Sequence, residues 1–257
     1  MQIRYYKEYS RYLDRDMEFK VFGHAGRPIL IFPCQGGRFF DWENFGMCNI
    51  AAPWIDAGKL QIFCADSIDG ESWDATGPER PRIEMQERWY NYICEELVPR
   101  VLEINREQGP DHTGRILVGG ASVGAGHAVN FYLRRPDLFN GTIALSGIYT
   151  AKEFFGDYMD DLVYRNSPAI ICAISPRIIP TKSCTIRLTS LLCAAAREHG
   201  RTNCLPPRWN CGTFWKARTF IPGWTSGARM SPMTGRGGSV NGPTSWKTSW
   251  ARRKNRA

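Results

Sequence analysis

Short apolar runs punctuate the first two-thirds of the chain and alternate with stretches of helical spacing. Glu18-Phe19-Lys20-Val21-Phe22-Gly23 alternates apolar and polar positions, as a half-exposed strand does. Pro28-Ile29-Leu30-Ile31-Phe32-Pro33 has no polar position, which suits a central strand covered on both faces. Trp42 to Ile55 reads as a helix broken at Pro53, and Leu60-Gln61-Ile62-Phe63-Cys64-Ala65 as a strand that ends at Asp66. From Pro81 to Asn105, the residues Ile83, Trp89, Ile93, Leu97, Val101 and Ile104 recur at helical spacing. Ile116-Leu117-Val118-Gly119 is a third apolar strand, followed by a tight turn and a helix to Arg134; Gly141 to Ser146 is a fourth. Strands alternating with helices predict a three-layer α/β fold, a mostly parallel sheet with helices on both faces.

Composition changes this picture in one place. The formal net charge is +8, but residues 1–168 carry 18 Lys and Arg against 24 Asp and Glu, while residues 169–257 carry 15 Lys and Arg against the single acid Glu198. Periodicity fades over the same segment, which predicts an ordered α/β core over 1–168 and an aberrant, poorly ordered basic segment over 169–257. No apolar run approaches the length of a membrane span. The charged start Met1-Gln2-Ile3-Arg4 lacks the apolar stretch of a signal peptide, so the expected compartment is the cytoplasm and no membrane is expected as a partner. Nine cysteines form no C-x-x-C pair, and Cys34, Cys48, Cys64 and Cys94 read as reduced, buried thiols.

The chemistry concentrates at Gly120-Ala121-Ser122-Val123-Gly124, a G-x-S-x-G pentapeptide between an apolar strand and a helix. A serine there sits on a sharp strand-to-helix turn, and the flanking Gly120 and Gly124 remove the bulk that would hold strand and helix apart. Ser122 is the predicted nucleophile. The helix beyond it offers free N–H groups and a positive dipole end, so the Val123 N–H is one oxyanion donor; the loop Cys34-Gln35-Gly36-Gly37 supplies the second, assigned to the Gln35 N–H.

Other polar residues carry weaker readings. His127 lies one helical turn beyond Ser122, too rigidly placed to be its base, and reads as a core or supporting residue. His24 and His112 sit in predicted turns and read as solvated. Asp66 and Asp69 border the edge of the sheet where a pocket would open, with ordinary solvated carboxylates as the simpler reading. Asp157, Asp160 and Asp161 lack the histidine or glycine spacing of a metal loop and read as a solvated acidic face, so neither metal nor cofactor is expected.

Several segments together carry a family resemblance. Pro33-Cys34-Gln35-Gly36-Gly37-Arg38-Phe39-Phe40-Asp41-Trp42-Glu43, Asp66-Ser67-Ile68-Asp69-Gly70-Glu71-Ser72-Trp73, Gly120 to Ala128 and Phe154 to Asp161 resemble the bacterial putative esterases related to esterase D, from about residue 5 to Pro168. One departure is Val123, where the family commonly has Met. The resemblance implies an α/β-hydrolase fold and ester hydrolysis through a serine, an acid and a histidine, with a small-molecule ester as substrate. It also implies a late His-Asp-Trp-Pro-Trp-Trp segment whose histidine is the general base, and no such segment stands in this chain.

Codon arithmetic relates the two. His-Asp-Trp-Pro-Trp-Trp, written CAT GAC TGG CCG TGG TGG and read one base late, gives Met233-Thr234-Gly235-Arg236-Gly237-Gly238. The same offset turns Val-Asp-Phe-Trp into Trp224-Thr225-Ser226-Gly227 and Gln-Gly-Ala-Trp into Arg197-Glu198-His199-Gly200, and Asp-Tyr-Leu fits Ala169-Ile170-Ile171-Cys172. Residues from about Ala169 onward are therefore expected to be a shifted reading of the family's own gene, with Glu198 and His199 as products of the shift. General base and acid remain unassigned. The predicted function is a serine-dependent carboxylic ester hydrolase by parentage, with this chain inactive for want of its histidine. Two other readings stand beside it: a non-catalytic hydrolase-fold binding protein, and a basic tail that binds nucleic acid through its charges and Trp residues. Oligomeric state is left open.

Overall fold

The apolar runs become the centre of a seven-stranded sheet in the computed structural model, which describes residues 1–107, 114–174 and 191–194. The strands are β1 (Ile3–Ser10), β2 (Arg15–Phe22), β3 (Arg27–Phe32), β4 (Leu60–Ala65), β5 (Ile116–Ala121), β6 (Phe139–Leu145) and β7 (Leu191–Ala194). Their order is β1-β2-β4-β3-β5-β6-β7. β1 and β2 are antiparallel to their neighbours and the rest pair in parallel, with Phe32 beside Gly120 and Ala121 beside Leu145. Helices α1 (Asp41–Asn44), α2 (Met47–Asp56), α3 (Glu79–Tyr92), α4 (Val98–Arg106), α5 (Val123–Arg134), α6 (Lys152–Phe155), α7 (Asp161–Arg165) and α8 (Pro168–Ile174) connect them.

The two-residue period of the strands sorts their side chains into two cores. Leu30 and Phe32 of β3 and Phe63 and Ala65 of β4 join Trp89, Ile93, Val101, Ile104 and Phe131 from α3 to α5. Ile29, Ile31, Ile62 and Cys64 face the other way, onto Cys48 and Ile55 of α2. The sheet is thus covered on both faces, the three-layer α/β arrangement that the alternation of strands and helices predicts. Fully buried aromatic residues such as Trp89 and Phe131 anchor the larger core, where truncation to Ala costs about 3–5 kcal/mol.

The structure departs from the sequence reading in several places. β1 was not anticipated. The helix over 42–55 breaks at Gly46, whose φ is +74°, and not at Pro53, which lies inside α2. Pro53 and Asn49, whose carbonyl loses its partner, are both exposed, so water can satisfy that group. The long helix over 81–105 contains a π turn at Ile93–Leu97 between α3 and α4. Beyond Pro168, α8 runs to Ile174 and β7 pairs Leu191 with Thr142; the rest of that segment lies outside the described residues. No helix among the described residues is long and apolar enough to cross a membrane.

Candidate active site

β5 ends at Ala121 and α5 begins at Val123, so Ser122 alone makes the turn. Its backbone has φ +55° and ψ −123°, a conformation that L-residues rarely adopt. The surroundings over-determine it. The Ser122 N–H donates to the Leu145 carbonyl at 2.9 Å, while its own carbonyl accepts from the N–H groups of Ala125 at 3.1 Å and of Gly126 and Ile148 at 3.3 Å. The adjoining glycines leave no room for anything larger. A β-carbon on Gly120 would lie 2.6 Å from the Gly124 carbonyl oxygen, and one on Gly126 would lie 2.1 Å from that of Ile148.

Close approach at Gly124 brings the exit of β3 against the first turn of α5. There the loop Cys34–Gly37 closes with a hydrogen bond from the Gly37 N–H to the Cys34 carbonyl, 2.9 Å. Val123 is the first residue of α5, so its N–H has no carbonyl a turn earlier in the helix to bond. Gly36, with φ +61°, gives its N–H to Asp69 Oδ2 at 3.0 Å. Gln35 donates through its side chain to Asp74, and Ser67 Oγ donates to the Gly37 carbonyl at 2.8 Å. The loop is therefore held by the segment that follows β4.

Asp66 and Asp69, read as solvated, are buried: 7% and 2% exposed. The sequence could not show this because their partners come from the distant β3 loop. Asp66 accepts from Arg38 Nε at 2.7 Å and from the Phe39 N–H at 3.3 Å. Burial still raises its pKa, with Arg38 opposing the rise. Burial likewise pushes the Cys34 thiol up, and Asp41 and Asp69 add to it.

His127 is 4% exposed and packed among the rings of Trp73, Trp89 and Phe32. Its Nε2 lies 3.6 Å from Asp69 Oδ1 and makes no hydrogen bond. A small cavity beside the elbow is lined by Val123, Gly126 and His127 together with Trp73, Tyr149 and Phe154. His24 is half-buried in the turn before β3, at the end of the parallel strands opposite Ser122. Neither described histidine is thus placed to take the Ser122 proton; His112, Glu198 and His199 lie outside the described residues.

The acidic trio has structural partners. Asp160 caps α7 through the Val163 N–H at 2.8 Å and, with Asp161, pairs with Arg80; Asp157 pairs with Lys152. Asp160 is held below the usual carboxylate range, because the cap and the Tyr158 and Arg80 bonds outweigh its burial. No group of metal-ligating side chains occurs among the described residues.

Comparison with known proteins agrees with this architecture. The sequence profile of the family described as "Putative esterase" matches residues 64–252. The match begins inside β4, so it omits the Cys34–Gly37 loop, and it continues past Pro168, where the resemblance was expected to stop; it gives no support to a shifted frame. No curated protein matches the chain. Among solved structures, FphF, a fluorophosphonate-binding serine hydrolase of Staphylococcus aureus, is 14% identical and superposes with a TM-score of 0.50 over 67% of this chain and 72% of its own. An S-formylglutathione hydrolase from Agrobacterium tumefaciens is 18% identical, with a TM-score of 0.49 over 66% and 69%. At 14% identity the likeness to FphF speaks for the fold alone.

Proposed function

We propose that this chain, which belongs to the putative esterase family, is built to hydrolyse carboxylic esters with Ser122 as the nucleophile. The observation that carries the reading is the strained Ser122 at the junction of β5 and α5, flanked by glycines that admit no side chain. In the first step Ser122 Oγ bonds to the acyl carbon, its proton passes to a base, and the developing oxyanion rests on the Val123 and Gln35 N–H groups. The alcohol leaves with a proton. Water then adds to the acyl-enzyme and releases the acid, returning the proton to Ser122. The Asp66–Trp73 segment holds the Gln35 loop in place, and the substrate is a small-molecule ester. Among the described residues, the free thiols Cys34, Cys48, Cys64 and Cys94 suit a reducing compartment such as the cytoplasm.

A second reading has one observation in its favour. The described residues bring no histidine to Ser122, as in a hydrolase-fold protein that binds an ester without turning it over. Residues 1–168 are then the hydrolase core, and the basic segment 169–257, read in a shifted frame, is what leaves the core without its base. Reaction with a fluorophosphonate distinguishes the two. An esterase is labelled at Ser122, and Ser122→Ala abolishes the label. An unlabelled chain favours the binding protein without a base, and a label that survives Ser122→Ala ends the nucleophile assignment.

A further inference from the structure

The buried pair His127 and Asp69 is not used by the hydrolytic steps above, yet it touches the loop that those steps depend on. Asp69 is 2% exposed, and its two carboxylate oxygens have different duties. Oδ2 accepts the Gly36 N–H at 3.0 Å, while Oδ1 faces His127 Nε2 at 3.6 Å. Nε2 is buried without a hydrogen bond, and an orphaned buried donor is costly. Three aromatic rings fix the imidazole: Trp89 at 5.1 Å, Trp73 at 5.5 Å and Phe32 at 6.3 Å between centroids. Phe32 is also the last residue of β3 before the loop. Among the described residues, the charged group paired with a histidine so confined is the carboxylate that anchors Gly36.

We propose that His127 is a positioning residue for the loop Cys34–Gly37: with its proton on Nε2 it braces Asp69, and Asp69 holds the Gly36 N–H, so that Gly36 is withdrawn from oxyanion binding and the Gln35 N–H is the donor presented to the elbow. The bracing contact is the 3.6 Å approach of Nε2 to Oδ1. The loop's role as oxyanion donor rests on the esterase reading; the brace itself is a contact that can be measured without turnover.

Amide hydrogen exchange of the full chain tests it. Asp69→Asn and His127→Phe should each speed exchange at Gly36 by about tenfold, the double variant should add little to either, and His127→Gln, which keeps a donor near Nε2, should stay within about threefold of the parent. Exchange within α5 should not change. If His127→Phe does not fold, His127→Met, which fills the space without a donor, is read in the same way. Gly36 exchange unmoved in the folded donor-free variant, while Asp69→Asn accelerates it, overturns the brace. Fluorophosphonate labelling is scored separately, so a failure of Ser122 to react and a failure of His127 to brace are distinct results.

Discussion

The carbonyl oxygen of Pro33 lies 2.2 Å from the point where Gly124 would carry a β-carbon. This contact joins the end of β3 to the first turn of α5, and so fixes the distance between Gln35 and Val123. Gly124→Ala must push one backbone against the other, because neither group is the flexible end of a side chain. Such overpacking costs about 1–3 kcal/mol. The expected outcome is a folded protein with a lowered urea midpoint whose Ser122 reacts with a fluorophosphonate at least tenfold more slowly, since the two N–H groups proposed as oxyanion donors move apart. Labelling at the parental rate would show that Gly124 governs packing alone.

Ser122 stores strain that can be read by reversing an ordinary preference. At most positions Ala is more stable than Gly by about 0.5–1 kcal/mol. At φ +55° and ψ −123° the β-carbon is the source of the strain. Ser122→Gly is therefore expected to be more stable than Ser122→Ala, by about 1 kcal/mol in urea unfolding. If Ala proves the more stable of the two, the turn is relaxed in solution.

How much of this was legible in the sequence follows from the range of the interactions. The elbow could be read because its constraints lie within a few residues: an apolar strand, glycines at fixed offsets and a helix. β3, β4 and β5 could be read because both of their faces are buried. β1 could not, since Ile3, Tyr5, Lys7 and Tyr9 are exposed and the residues between them only half-buried, which leaves little alternation. The π turn at Ile93–Leu97 inserts a residue without disturbing the apolar stripe enough to show. The burial of Asp69 depends on the amide of Gly36 and the ring of His127, from two distant segments, and no local pattern announces it.

Arg38 and Asp66 give a dependence on pH whose sign is fixed. Burial raises the Asp66 pKa above its unfolded value, so the native state binds that proton more tightly than the unfolded chain. Asp66 therefore supports the fold best at low pH, and its contribution is lost as pH rises from the unfolded pKa through the folded one. Arg38 limits the loss by pairing with the carboxylate at 2.7 Å. Arg38→Met should raise the folded pKa further and steepen the fall in stability as pH rises above the ordinary carboxylate range, by about 1 kcal/mol or less because Arg38 is itself exposed. Urea unfolding at stepped pH measures it, and adding Asp66→Asn should flatten the difference. A difference that persists with Asp66→Asn assigns the effect to Glu18, the other carboxylate on Arg38.

The base for Ser122 is the remaining question, and the chain order narrows it. The acid and base of this fold follow the serine, and His199 is the one histidine beyond His127. On the proposal of a one-base offset, which the family match past Pro168 does not support, His199 is a by-product and the working histidine lies in the segment now read as Met233 to Gly238. Reinserting one base near the Pro168 codon should then raise hydrolysis of a short chromogenic ester by about 10³-fold or more, the scale on which a base matters to a serine nucleophile. Ser122→Ala in the restored chain should return it to background, while His199→Ala in the present chain should change nothing. If the present chain already hydrolyses the ester rapidly and loses that activity with His199→Ala, the frame is intact and His199 is the base.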